Sequence, residues 1–409
     1  MKKRRVVVIG GGASGILAAI SAARCGANVT LVEQRDRLGK KILSTGNGRC
    51  NLTNEYMDIS CFRGDDLSIV SPILEQFDNQ NTIRFFEEIG VLLKNRNGYI
   101  YPITDQASTI LDALCMELSR LNVEILLEQY VTEVTKTAKG FSIKTTTQTI
   151  NGDAIILATG SKAAPMLGSD GSGYEIAKQF GHRLSPVVPA LVQLKCKGSI
   201  FKKVAGVRTN AKVTLLVDNI PVASDIGELQ LTNYGISGIP VFQISRFASK
   251  GLYENKNITA ELDLIPHMTD EEWNTFLSAR MKKHGYKKAS DFFTGIFHTK
   301  LIDMLLYASH ISNTTVMNTI TQAKLQILSN LCKHFKVEVV ETNGFEQAQI
   351  CAGGVRTEEI NEQTLESRYV TDFYITGEIL DIDGICGGYN LQWAWSTGFV
   401  AGKNAAKGM

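Results

Sequence analysis

The sequence predicts an α/β protein whose doubly wound parallel sheet is interrupted by a β-rich insert. Three observations carry this reading. An apolar run, Val6-Val7-Val8-Ile9, meets Gly10-x-Gly12-x-x-Gly15, then a helix-like segment and a second run ending at Glu33. Strands of the same buried kind return at Ala154 to Leu157, before Ala158-Thr159-Gly160, and at Phe373-Tyr374-Ile375-Thr376, before Gly377-Glu378. Between the last two, from Pro189 onward, alternation at period two takes over, as in a half-buried antiparallel sheet.

The first element reads as strand, tight turn, helix and strand. Gly10 permits the sharp turn, Gly12 lets backbone approach a pyrophosphate, and Gly15 allows close packing of helix on strand. Phosphates are favoured at such a helix N-terminus, where free N–H groups and the helix dipole meet negative charge. Glu33 stands roughly twenty residues on, where a carboxylate accepts from a ribose 2′-hydroxyl. A Gly-rich strand–helix turn with no ligand is the competing reading. The flanking strand, the helix and the acidic end of the second strand together favour a dinucleotide.

The chain has 409 residues, enough for two or three domains, and its 44% apolar and 21% charged residues are those of a globular protein. A net charge of +2, from 43 basic and 41 acidic residues, gives no nucleic-acid or membrane footprint. Lys282, Lys283, Lys287 and Lys288 read as a solvated helix face. The eight cysteines lack any C-x-x-C or Cys/His ligand spacing, which argues for reduced thiols, a cytoplasmic setting and no structural metal. The basic run Lys2-Lys3-Arg4-Arg5 before an apolar stretch imitates a signal peptide. Cleavage there would destroy the glycine turn, so that reading is rejected. No apolar run is long enough to span a membrane.

Along the chain, Arg37 to Thr53 forms a glycine- and amide-rich loop suited to lie against a ligand. Residues 71–90 and 107–121 read as helices, with Tyr99 to Asp105 an aromatic loop between them. Strands are expected at 123–127, 130–136 and 141–146, the last two as a hairpin. A second glycine-rich stretch, Gly168 to Gly173, opens a helix ending near Gly181-His182. With no preceding strand it is not a second dinucleotide fingerprint, and His182 reads as a capping residue. Residues 191–265 are strands apart from a helix at 239–249; helices follow at 269–284, 298–308 and 320–334, a strand at 337–341, and a long final helix from Asn390.

The phosphate turn by itself does not separate NAD from FAD; the C-terminal stretch does more. Gly377-Glu378 at a strand end resembles the loop that places a carboxylate near a flavin's ribityl chain or phosphates. Asp383-Gly384-Ile385-Cys386-Gly387-Gly388-Tyr389-Asn390 then delivers a glycine turn onto a helix N-terminus. Such a terminus, aimed at flavin N1 and O2, stabilises the reduced form. Taken with Leu38-Gly39-Lys40-Lys41, Thr45-Gly46-Asn47-Gly48-Arg49-Cys50-Asn51, Tyr101-Pro102, Asn233 to Gly238, Ala352-Gly353-Gly354-Val355 and Gly387 to Ala394, the chain resembles the BaiN-like family of FAD-dependent, NAD(P)H-linked oxidoreductases over essentially its whole length.

The resemblance implies a Rossmann-like three-layer FAD domain (1–190 and 351–409) and an inserted substrate-covering domain (191–350). The insert is β-rich at 191–265 and 335–350 and helical at 266–334. The cofactor set is then Gly10, Gly12, Ala13, Ser14, Gly15, Glu33 and Gln34; Lys41, Thr45, Gly46, Gly48, Arg49, Cys50 and Asn51; Val131, Ala158, Thr159 and Gly160; and Gly377, Glu378, Asp383, Gly388, Tyr389, Asn390 and Leu391. The implied partner is a small molecule rather than a nucleic acid or a membrane. One departure stands out: Asn233 replaces the histidine usual before Tyr-Gly-Ile-Ser-Gly, so a histidine acid is missing there.

Family members reduce conjugated double bonds of 3-oxo bile acids or oxidise aminoacetone. The expected activity is hydride transfer from NAD(P)H through flavin N5 to an activated C=C of a small apolar substrate, such as a 3-oxo steroid or bile acid. The alternatives are an FAD oxidase of a small amine and an RNA-directed flavoprotein. Reduction of an enone also needs a proton donor within hydrogen-bond reach. Tyr389, Tyr101, Tyr234 and Cys386 are the candidates, each set against a plain packing role. His267, His284, His298, His310 and His334 read as surface residues of the insert, and no G-x-S-x-G elbow supports a hydrolase.

Overall fold

A computed structural model describes residues 3–408; Lys2 of the basic run lies outside the described residues. Two compact units emerge, one of Met1–Val187 with Gln349–Met409 and the other Val188–Ala348.

The first unit is built on the apolar strand β1 (Arg5–Ile9), whose Val6, Val7 and Val8 have at most 1% exposure. A strand apolar on both faces belongs at the centre of a parallel sheet covered on both sides. There it sits, in the order Phe373–Ile375, Ala154–Leu157, β1, β2 (Asn28–Val32), Glu124–Leu126, all parallel. Helix α1 (Ala13–Arg24) makes the crossover from β1 to β2. The hairpin expected from residue 130 onward is present as Val131–Thr137 and Gly140–Thr145, with Thr149–Gly152 as a third strand.

The final helix, Tyr389–Lys407, packs on α1 at backbone contact. A Cβ on Gly398 would lie 2.3 Å from the Ser14 carbonyl oxygen, and one on Gly402 2.2 Å from that of Ala18. Ser21 Oγ donates to the Phe399 carbonyl at 2.8 Å. Two glycines four apart give the helix a flat stripe, so the two axes approach more closely than larger side chains permit.

Two local expectations give way. The helix predicted over 71–90 is two helices, Val70–Gln76 and Asn79–Glu88. Asp78 accepts from Asn81 N–H and Asn81 Oδ1 accepts from Asp78 N–H, so the second helix starts with its own cap. Tyr99 to Pro102 is a strand rather than a loop, paired with Leu93–Arg96 on one side and Thr53–Asn54 on the other. Its non-local partners outweigh its loop-like composition.

Helix Ser172–Gln179 ends as anticipated near His182. Gly181 N–H donates to Lys178 and His182 N–H to Ala177, with Gly181 left-handed at φ +91°. The His182 ring is itself buried, between Glu359 (3.3 Å) and Ser367 Oγ (2.8 Å). Burial lowers its pKa, and the Glu359 carboxylate only partly restores it.

In the second unit, six strands close a barrel in the order Leu194–Cys196, Gly235–Gly238, Ile220–Leu231, Arg208–Val217, Ile258–Asp263, Phe335–Thr342. Alternating residues such as Val213, Leu215, Leu229 and Leu262 fill it, and helix Ile239–Tyr253 packs on its strands. Closure removes the sheet edges that an open antiparallel sheet would expose. Helices Asp270–His284, Thr299–Ala308 and Gln322–Lys333 form the expected cluster. Among the described residues, no helix is long and apolar enough to cross a membrane.

Two outcomes follow from this packing. Gly398→Ala overpacks the contact between α1 and the final helix, and chemical denaturation should register a loss of about 1–3 kcal/mol. For His182, the unfolded ring titrates near 6.5 and the folded ring lower, so its contribution is complete above that pH and declines as pH falls below it. His182→Gln should flatten the fall in stability between about pH 7 and 5, read by urea unfolding at each pH.

Candidate cofactor and active site

The three turn glycines have three different surroundings. Gly10 is left-handed at φ +106°, and a Cβ there would sit 2.4 Å from the Ala158 carbonyl oxygen. A Cβ on Gly15 would meet the Gly10 carbonyl at 1.8 Å, so that glycine is fixed by helix-on-strand packing. A Cβ on Gly12, the residue capping α1, meets nothing within 4 Å. The fold itself has no need of a glycine at 12. Open space at a helix N-terminus is what a pyrophosphate requires.

Glu33 is buried, with Oε2 accepting from Gly11 N–H at 2.7 Å and Oε1 from Arg35 N–H at 2.8 Å. Each carboxylate oxygen keeps a second lone pair, enough for ribose hydroxyls. Gln34 Nε2 donates to the Gly168 carbonyl at 2.6 Å, and Arg35 Nη2 to that of Pro165 at 2.7 Å. The second glycine-rich stretch thus has a role after all: it closes over the end of β2. Its Gly173 comes so near Thr159 that a Cβ would lie 1.9 Å from Thr159 Oγ1.

Glu378 ties four segments together. Oε2 accepts from Lys41 Nζ at 2.6 Å, and Oε1 from Ser161 Oγ at 2.6 Å and Cys351 N–H at 3.1 Å. Gly377 beside it is left-handed and abuts Ser14 Oγ. Ser161 and Cys351 were missed from sequence; only the position of Ser161, directly after Ala158-Thr159-Gly160, hinted at the first.

The loop from Thr45 to Asn51 turns through left-handed Gly46, Asn47, Gly48 and Cys50. Burial pushes the Cys50 thiol up to about 12, so it is a neutral packing group, while Arg49 is exposed. Asn51 Oδ1 and Thr159 Oγ1 are buried polar atoms with no partner in the protein. Orphans of this kind fit a bound ligand's donors and acceptors. Ala13, Leu391 and Val131 are half-buried, the last on the antiparallel sheet. Asp383 is buried in a short pairing with Arg63 as its register partner.

At the other turn, Gly387 and Gly388 are left-handed and Gly388 caps the final helix. A Cβ on Gly388 would lie 2.8 Å from Thr53 backbone. The Asn390 amide is committed to shaping this loop: Oδ1 accepts from Gly384 N–H and Nδ2 donates to the Gly384 carbonyl, both at 2.8 Å. Asn54 Nδ2 donates to the Gly387 carbonyl at 3.0 Å. The open cradle at Gly12, the Glu33 carboxylate, the orphaned Asn51 and Thr159 atoms and this second glycine-rich helix start fit FAD.

Three donor candidates lie in the first unit. Tyr389 is buried, edge-on to Phe62 and hydrogen-bonded to Cys61, and burial raises its pKa. Tyr101 is half-buried with its ring against Gly46. Cys386 is half-buried in the glycine loop. Tyr234 belongs to the second unit, where its hydroxyl accepts from Asn343 Nδ2 at 3.1 Å. The insert histidines His267, His298, His310 and His334 are exposed and His284 half-buried.

The glycine geometry separates two variants. Gly12→Ala should fold normally yet bind FAD roughly tenfold or more weakly, since the methyl occupies ligand space. Gly10→Ala should lower stability by about 1–2 kcal/mol or more. Flavin fluorescence on titration, beside thermal unfolding, distinguishes the two.

The family described as HI0933-like protein Rossmann domain matches residues 4–404. The chain is 51% identical over 405 residues to a 3-dehydro-bile acid delta(4,6)-reductase of Clostridium scindens, covering 98% of this chain and 99% of that protein. It is 28% identical over 408 residues to a ribosomal RNA dihydrouridine synthase of Escherichia coli, covering 99% and 98%. A flavocytochrome c3 fumarate reductase, solved in an open conformation, shares the fold at a TM-score of 0.51 and 16% identity, over 99% of this chain and 78% of that one. The chain therefore belongs to the HI0933-like Rossmann family that its glycine turns and its Gly-Arg-Cys-Asn and Gly-Gly-Tyr-Asn strings resemble, and it is an oxidoreductase.

Proposed function

We propose that the protein reduces a C=C conjugated to a ring ketone, of the kind found in 3-oxo bile acids and steroids, at the expense of NAD(P)H. The observation that carries this reading is 51% identity along the whole chain to a reductase of such substrates. FAD, when bound, supplies a two-electron carrier that passes hydride from a nicotinamide to the β-carbon of an enone. The chain's own part is to hold that cofactor and to give a proton at the α-carbon.

For the proton we assign Tyr389. It starts the final helix directly after the Gly387-Gly388 turn, and burial keeps its hydroxyl protonated through the neutral range. Tyr101 lies under the Arg96 guanidinium, and Tyr234, whose hydroxyl has a partner in Asn343 as that of Tyr389 has in Cys61, does not follow a glycine turn at a helix start. We assign residence of the protein to the cytoplasm, where nicotinamide reductant is abundant.

A second reading keeps the chemistry and changes the substrate. Two relatives, at 28% and 27% identity, are named ribosomal RNA dihydrouridine synthases, and a uracil ring also offers a C=C conjugated to a carbonyl. The near-balanced charge of this chain favours the small molecule, because RNA binding rests on many phosphate contacts.

Anaerobic stopped-flow absorbance tests the proposal. NADH or NADPH should bleach the bound flavin, and a 3-oxo-Δ4 steroid or bile acid should restore its colour. Restoration only by uridine-containing RNA would select the second reading. Peroxide formed from an amine without nicotinamide would select an oxidase. Tyr389→Phe should slow the enone-dependent step by about 100-fold while bleaching by nicotinamide persists.

A further inference from the structure

The strand Tyr99–Pro102 and its neighbour Leu93–Arg96 share a face that the cofactor residues leave unexplained. Ile100 and Pro102 point into the core, while Tyr99 is exposed and Tyr101 half-buried on the opposite face. Antiparallel register sets Arg96 opposite Tyr99 and Lys94 opposite Tyr101, so two aromatic rings and two cations lie on one surface. The Arg96 guanidinium lies over the Tyr101 ring, 5.6 Å from its centroid.

The charge there is unbalanced. Lys94 Nζ and Arg96 Nη2 share the single carboxylate of Asp105, at 2.6 and 3.3 Å. Arg49, from the neighbouring glycine loop, makes no ion pair among the described residues, yet it stands close enough to help hold the Asp105 carboxyl below its ordinary range, after Lys94 and Arg96. Three cations thus face one anion. Lysine on an edge strand guards against strand pairing, but a guard needs neither an aromatic floor nor a third cation from another loop.

The face also has a direction. A Cβ on Gly387 would touch both Tyr389 and Tyr99, at 3.0 and 3.4 Å, so Tyr389 adjoins the tyrosine strand on one side, and Arg96 and Lys94 lie on the next strand out.

We propose that this face binds an elongated ring substrate carrying a carboxylate, its flat body on Tyr99 and Tyr101 and its anionic end at Arg96, Lys94 and Arg49. The inference rests on the enone-reductase reading above and assigns the residues that take up the acid end of a bile-acid substrate. Exposed pairs of this kind act weakly and are screened by salt, so the effect is one of preference.

The test compares a 3-oxo-Δ4 bile acid with its own methyl ester as oxidants of the nicotinamide-reduced protein. The wild type should favour the acid in kcat/KM, with the preference shrinking as salt is raised. Arg96→Gln should cut the acid-over-ester preference about fivefold, and Arg96→Glu further. Equal use of acid and ester by the wild type, or a preference that both variants keep, overturns the inference and leaves the reductase reading standing. Failure of both compounds to oxidise the wild-type protein removes the reductase reading, and this inference with it.

Discussion

The close contact between α1 and the final helix is the constraint on which the first unit depends. The helix N-terminus behind Gly12 and the helix N-terminus behind Gly388 belong to opposite ends of the chain. They hold a common ligand only if their spacing is fixed to a fraction of an ångström. Gly398 against Ser14 and Gly402 against Ala18 set that spacing through backbone atoms, which have no rotamers to change. A leucine interface would be just as apolar, but it would hold the two helices further apart and through mobile side chains. Ser14 is shared further, since Gly377 seats against its hydroxyl, so the carboxylate of Glu378 is registered to the same helix.

Electrostatics in the site is organised by saturating carboxylates with donors. Glu33 is held by two backbone N–H groups, and Glu378 by an ammonium, a hydroxyl and a backbone N–H. A buried charge left with fewer partners would be costly. The arrangement keeps both side chains rigid and leaves lone pairs for a ligand, which is how a site is organised before its cofactor arrives.

What was legible in the sequence was what local chemistry dictates. The apolar run of β1 and the three glycines each have one environment that suits them, and all three found it. Asn390 belongs to the cofactor set expected from the sequence; that its amide also closes the Gly384 loop depends on a backbone conformation no spacing reveals. Tyr99 to Pro102 reads as a loop because Pro102 and Asp105 mark a turn, although Tyr-Ile-Tyr itself suits a strand; its strand character comes from partners as much as 47 residues away in sequence, as in the Thr53–Ile100 and Asn54–Tyr99 pairs. Ser161 and Cys351 stayed hidden for the same reason: both are defined by Glu378, far from either in the chain. The barrel's closure was equally out of reach, since six alternating strands read the same whether the sheet is open or closed.

The first unit's sheet takes its edge strand, Phe373–Ile375, and its covering helix, Tyr389–Lys407, from chain that is synthesised after the whole of the second unit. All six barrel strands lie between Leu194 and Thr342 and leave the ribosome earlier. The older half of the first unit, whose strand Ala154–Leu157 has β1 on one side and no partner on the other until Phe373–Ile375 is made, must therefore wait through the synthesis of roughly two hundred residues with an apolar edge exposed. The cofactor domain can thus complete its sheet and cover α1 only once residues 373–407 have left the ribosome.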